Sequence, residues 1–169
     1  MPSADNIQLE DAGVEPPETR PAERTNLLVI GIGNCGRADD GLGWAFLDQL
    51  EAQEADFSMA YRYQLQIEDA EMISHHPVII FVDATEEVLP DGFKWQVCRP
   101  MGSYSYSTHA LAPEAVTILC EQLYDATPKV YILAIQGNDW GLKEGLSKGA
   151  QRNLLKALKF FNSKVDQII

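Results

Sequence analysis

A chain of 169 residues that is 46% hydrophobic, 22% charged and 9% aromatic has the profile of one globular domain with a single core, and not of a disordered, fibrous or membrane protein. Thirteen Lys and Arg against 25 Asp and Glu leave a formal charge of −12, which argues against a surface that tracks phosphates, hence against nucleic acid, and against acidic substrates. The apolar runs, such as Val78 to Val82, are strand-length and far short of the roughly 18 residues that a bilayer requires, so no membrane span is expected. Asp5, Glu10, Asp11 and Glu15 stand where a secretory signal needs basic and then apolar residues, and Cys35, Cys98 and Cys120 form no pattern. A reducing cytoplasm fits both observations.

Residues 1 to 25 hold Pro2, Pro16, Pro17 and Pro21 with six acidic and two basic residues, and Ile7, Leu9 and Val14 are too few to offset the entropy of ordering. The composition predicts a disordered acidic tail followed by one folded domain over 26–169. Asn26 to Ile30, closed by Gly31, is a continuously apolar run suited to a strand buried on both faces. After a glycine-rich loop, Gly43, Phe46, Leu47 and Leu50 recur at helical spacing, with Asp39 or Asp40 as a candidate cap. Weaker signals mark a strand over Tyr61 to Leu65 and a short helix over Ile67 to Ser74. Pro77 to Asp83 reads as a central parallel strand that ends on a carboxylate.

In Phe93 to Cys98 the alternation of Phe93, Trp95 and Val97 predicts a strand with one exposed face. Nine residues separate it from Asp83, fewer than a parallel crossover needs, so it should run antiparallel to its neighbours. Pro113 opens a helix with Val116, Leu119, Cys120 and Leu123 on its inner face, and Lys129 to Ile135 supplies a fifth strand. The last helix, about Ser147 to Lys164, turns Ala150, Leu154, Leu158, Phe161 and Val165 inward and Lys148, Arg152, Lys156 and Lys159 to another, solvated face. Strands alternating with helices predict an α/β fold, a three-layer α/β/α sandwich with a mostly parallel five-stranded sheet and one strand antiparallel.

In such folds ligands gather at the carboxyl ends of the parallel strands. Three places qualify: the loop from Gly31 to Gly43, Asp83, and the loop from Gln136 to Gly141, with His109 on a connection long enough to reach the same rim. Gly31-Ile32-Gly33-Asn34-Cys35-Gly36 matches the dinucleotide-binding pattern G-x-G-x-x-G, with Glu51, Glu54 and Asp56 about where a ribose contact would fall. In that fingerprint the helix begins inside the glycines, whereas here Arg37-Ala38-Asp39-Asp40 intervene and two carboxylates would repel a phosphate. The charges suit a cation instead: Asp40, Asp83 and His109 can converge on a divalent metal with positions left open. Each also has a plainer role, with Asp39 and Asp40 as helix caps, Asp83 as an acceptor for loop amides and His109 as a surface residue. His75 and His76 precede their strand and face solvent on this reading, and Cys35 lacks a histidine partner.

The spaced motif Gly31-Ile32-Gly33-Asn34, then Asp39-Asp40-Gly41-Leu42-Gly43, resembles the opening motif of the hydrogenase maturation endopeptidases, which process the C-terminus of nickel–iron hydrogenase large subunits. Gln64-Leu65 before Glu68, Asp83-Ala84 after VIIFV, and Ser107-Thr108-His109 ahead of Pro113-Glu114 extend the similarity, which runs from about Asn26 to Ile135. The resemblance implies the five-stranded sandwich, and places the family's metal-contacting and catalytic positions on Asp40, Asp83 and His109. It further implies a metal-dependent endopeptidase that removes the C-terminal extension of a hydrogenase large-subunit precursor after nickel insertion. Nickel would be borne by the substrate, and zinc or cadmium could substitute in vitro. The chain departs from the family in Ala38, where Gly is common, and in Gly137, where Pro is frequent. A non-proteolytic, metal-binding hydrogenase assembly factor would use the same three ligands. No Ser-His-Asp set, cysteine pair or HExxH motif competes for the role.

Overall fold

The computed structural model describes residues 26–100 and 111–169. The expected tail, residues 1–25, and the segment containing His109 lie outside the described residues.

Five strands form one sheet: β1 (Leu27–Ile32), β2 (Ser58–Arg62), β3 (Val78–Thr85), β4 (Phe93–Val97) and β5 (Lys129–Gln136), in the order β2-β1-β3-β5-β4. Four are parallel, and β4 alone pairs antiparallel, along β5. The short connection from β3 forces that direction, because a hairpin-like return can be brief and a parallel crossover cannot. The helices are α1 (Leu42–Ala52), α2 (Asp69–Ser74), α3 (Pro113–Tyr124) and α4 (Lys148–Ile168). α1 and α4 cover one face, where Val29, Ile80, Phe46, Leu50, Leu158 and Phe161 interlock; α2 and α3 cover the other, over Leu28, Ile30, Phe81, Ile73, Val116 and Cys120. Successive strand residues therefore feed opposite cores, and this is why β1 is apolar at every position.

Several boundaries differ from the sequence expectation. β2 lies three residues earlier than Tyr61 to Leu65, since Leu28 to Ile32 pair with Ser58 to Arg62 and the chain then leaves the sheet, exposing Tyr63. Neither Asp39 nor Asp40 caps α1: a 3-10 turn, Ala38–Gly41, intervenes and Gly41 is the cap. α4 starts one residue after its cap Ser147, whose hydroxyl accepts the Ala150 amide at 3.1 Å. Leu123, expected on the inner face of α3, is 57% exposed; the buried residues of that helix are Ala115, Val116, Thr117 and Cys120. Among the described residues no helix is long and apolar enough to cross a membrane.

Candidate active site

β1 has β2 on one side and β3 on the other, so the chain leaves β1 in one direction and returns in the other, opening a crevice at their carboxyl ends. Glycines bring the backbone close there. A Cβ on Gly43 would overlap the carbonyl oxygens of Ile32 and Val82, so the first turn of α1 sits directly on both strands. Gly33, at φ +143°, donates its amide to the Arg62 carbonyl at 2.9 Å and leaves no room for a side chain against the Asp40 carbonyl. A Cβ on Gly31 would likewise overlap the Gly43 carbonyl, so Gly31 and Gly33 serve backbone packing, which accounts for the G-x-G without a nucleotide.

The paired acids in the following loop have opposite surroundings. Asp39 is fully buried, and its carboxylate accepts the amides of Asn138 (2.7 Å), Asp139 (2.9 Å) and Ser147 (2.7 Å) and the Ser147 hydroxyl (2.7 Å). Burial alone would raise its pKa; the Asn138 amide, both Ser147 groups and the Asp139 amide outweigh it and hold the carboxyl below its usual range. Asp39 thus ties the first loop to the connection after β5 and to the start of α4. Asp40 points elsewhere. Half-buried, it accepts the Asn34 amide on Oδ2 at 3.1 Å, while its carbonyl receives the same amide.

Asp83 emerges near the end of β3, its side chain following Ile79 and Phe81 on the α2/α3 face. Its Oδ1 accepts the Ala84 amide at 2.8 Å. Burial pushes its pKa up to about 7, the Ala84 amide opposes that shift, and the negative charge of Asp40 adds to it. The negative charge of Asp40 is thus felt at Asp83, across the turn that packs the Asp40 segment on β3. His109 falls in the segment that is not described. Leu111, two residues on, has its amide bonded to the Leu65 carbonyl at 3.4 Å and packs in the α2/α3 core, the same face that carries Asp83. Among the described residues no three His, Cys, Asp or Glu side chains gather as a metal site.

The two departures noted in the sequence have local explanations. Ala38 is buried at φ +49°, a left-handed conformation that glycine adopts at least cost, with its amide held by the Lys143 carbonyl at 2.7 Å. Gly137 donates its amide to the Thr85 carbonyl at 3.0 Å, a bond that proline could not make. Sequence reasoning did not find the clamp formed by Asp39, nor the Arg62–Asp69 ion pair at 2.8 Å, which fastens the end of β2 to α2. The partners of Asp39 are about a hundred positions away, so no local pattern signals them.

No protein-family model and no curated protein sequence matches the chain. Solved structures do. The chain is similar to the [NiFe] hydrogenase maturation protease HycI from Thermococcus kodakarensis KOD1, at 18% identity over 86% of this chain and 95% of that one, with a TM-score of 0.63. The hydrogenase maturating endopeptidase HybD from E. coli gives 15% identity over 85% and 94% with a TM-score of 0.63. A hydrogenase 2 maturation peptidase from Thaumarchaeota archaeon SCGC_AB-539-E09 gives 16% over 84% and 99% with a TM-score of 0.61. The chain has the hydrogenase maturation protease fold. That fold accounts for nearly the whole length of each neighbour, and in this chain Asp40 follows β1 and Asp83 stands near the end of β3, both at the carboxyl edge of the sheet.

Proposed function

We propose that this protein is a metal-dependent endopeptidase of hydrogenase maturation, acting in the cytoplasm to remove the C-terminal extension of a nickel–iron hydrogenase large-subunit precursor after nickel has been inserted. The observation that supports this reading is the position of Asp40 after β1 and of Asp83 near the end of β3, at the switch point of a sheet with the maturation protease fold. The motif similarity supplies the reaction, and the free thiols of Cys35, Cys98 and Cys120 suit a reducing compartment.

The residues fit a divalent cation. Asp83 is a half-buried carboxylate whose pKa is raised by desolvation and, to a lesser degree, by the charge of Asp40, and a bound cation would offset both. Asp40, Asp83 and His109 would hold the nickel of the precursor, with zinc or cadmium as stand-ins in vitro, through two hard oxygens and one imidazole. The ion supplies Lewis-acid polarisation of the scissile carbonyl or of a water. Asp39 keeps the Asp40 loop in register with the loop after β5, so that the ligand loop is preorganised before substrate arrives. One carboxylate of the pair, close to the scissile peptide, accepts the proton that the attacking water loses. Because three ligands leave positions open, the site is completed only by a metal already seated in the substrate, and cleavage becomes a checkpoint for metal insertion.

The test is to incubate purified precursor, nickel-free and nickel-loaded, with wild-type protein and with His109→Ala, and to compare intact masses. Loss of the extension only from loaded precursor, and only with wild type, is expected. Equal cleavage of both precursors would refute the checkpoint, and binding without cleavage of loaded precursor would establish the assembly factor instead.

A further inference from the structure

Among the described elements α4 alone is strongly cationic, in a chain whose formal charge is −12. Over 21 residues it carries Lys148, Arg152, Lys156, Lys159 and Lys164 against one acid, Asp166, whereas no other described helix or strand holds more than one cation. At about 3.6 residues per turn, Lys148, Arg152, Lys156 and Lys159 share an arc of about 80°, and all four are exposed. Leu155, 64% exposed, lies within that arc, and Asp166 joins it only at the last turn. Among the described residues none of the four cations is within ion-pair distance of a carboxylate. Lys148, Arg152 and Lys156 instead follow one another at i, i+4, where like charges repel, and the first two stand near the positive end of the helix dipole.

The cationic face continues into an open groove of about 440 Å³, lined by Lys156, Lys159, Phe160 and Ser163 of α4 with Asp91 and Phe93. The Phe160 ring stands 5.1 Å from Phe93 and 5.7 Å from Trp95, so the groove combines two ammonium groups with an aromatic wall. A segment that complements this surface must interleave carboxylates with apolar side chains.

We propose that residues 5–15 of this chain lie along α4, with their carboxylates on the cationic arc and Ile7 and Leu9 against Leu155 and the Phe93–Phe160 groove. Asp5, Glu10, Asp11 and Glu15 stand in that stretch without a base. The six acids and two bases of residues 1–25 leave −4, and the five bases and one acid of α4 leave +4. The point of attachment suits the contact. The Asn26 carbonyl accepts the Val78 amide at 3.0 Å at the amino end of β1, and Leu27 shares the core of Phe161 and Val165. Asn162 donates to Oε1 of Gln53 at 3.2 Å, just past the end of α1, so the second half of α4 runs toward that same edge of the sheet. Asp11 is 15 positions before Asn26, a reach of up to about 50 Å, and α4 is about 31 Å long. Exposed ion pairs are weak one by one, but a tethered segment meets its site at an effective concentration of about 1 mM, an advantage that a separate acidic partner lacks. The contact requires neither a metal nor the hydrogenase precursor.

The experiment treats the full-length protein, as an equal mixture of isotopically labelled and unlabelled chains, with a zero-length carbodiimide that joins touching carboxylates and lysines, and reads the links by mass spectrometry. Links from Asp5, Glu10, Asp11 or Glu15 to Lys148, Lys156 or Lys159 should form within one chain and exceed those to Lys94 and Lys129 about tenfold. They should fall about tenfold between about 20 mM and about 0.5 M salt, as screening shortens the reach of each charge. Lys156→Glu/Lys159→Glu should lose them with Tm retained, and adding Glu10→Lys, Asp11→Lys and Glu15→Lys to that variant should restore linkage between the two segments. Links spread evenly over all lysines, insensitivity to salt, or no restoration in the charge-swapped variant would overturn the contact. Links only between labelled and unlabelled chains would assign the face to a second copy and overturn it equally. Absent links, with weaker binding of nickel-loaded precursor by the double variant, would give the face to the precursor and overturn the proposal while leaving the proteolytic reading in place.

Discussion

Replacing either of two adjacent acids should have unequal consequences for stability. Asp39 accepts four hydrogen bonds, all at 2.9 Å or shorter, from groups on the connection between β5 and α4. Charge-assisted bonds contribute about 1.5–3 kcal/mol each, but the four share one carboxylate and part of the loss is recovered by water entering the opened loop. Asp39→Ala should therefore cost about 4 kcal/mol, a large share of a typical domain stability of about 5–15 kcal/mol. Asp40 is half-buried, and its side chain accepts the Asn34 amide at 3.1 Å, so Asp40→Ala should stay within about 1 kcal/mol. Asp39→Asn keeps one acceptor oxygen but turns an NH2 group toward donors, and should fall between the two. Urea unfolding followed by circular dichroism, in the presence of a chelator, measures all three. Equal losses at the two positions, or a loss below about 1 kcal/mol for Asp39→Ala, would refute the division into a structural and a functional acid.

Three further outcomes are expected. Asp83, with its folded pKa near 7 against an ordinary 3.8, binds more protons folded than unfolded across that window, so its contribution to stability falls as pH rises from about 4 to 7 and is level above. Asp83→Asn should thus match wild type near pH 4 and exceed it at pH 8 by up to about 4 kcal/mol in chelated urea unfolding, and a wild type more stable than the variant at pH 8 would contradict the assignment. Gly43→Ala should cost about 3 kcal/mol or more, because the new methyl meets strand carbonyls, whereas Gly145→Ala, at φ +95° with open space around it, should cost about 1 kcal/mol; similar melting temperatures for the two would disprove the close approach of α1 to β1 and β3. A thiol reagent should label Cys35 fast and Cys98 and Cys120 only on unfolding, since both are buried and burial pushes Cys98 up to about 11; two fast thiols in native protein would be inconsistent with this core.

The alternation of strands and helices was legible because burial imposes periods on the chain. Leu27 to Ile32 is apolar at every position because both faces of β1 are covered, and α4 repeats its inward residues at Ala150, Leu154, Leu158, Phe161 and Val165 because one face is covered. The nine residues between Asp83 and Phe93 determined the antiparallel direction of β4, since chain length limits a crossover. The position of Asp40 after the first strand and of Asp83 near the end of the third placed both acids at the edge where open sheets bind ligands.

Tertiary structure alone separated Asp39 from Asp40. Identical neighbours in sequence, they differ because the sheet order carries Asn138, Asp139 and Ser147 across to one of them and not to the other. The same order brings the charge of Asp40 to bear on Asp83. Periodicity reports which side of an element is apolar, whereas hydrogen-bond partners and the field at a carboxylate depend on which distant loops the strand order makes neighbours, and that is not encoded in any local stretch of the chain.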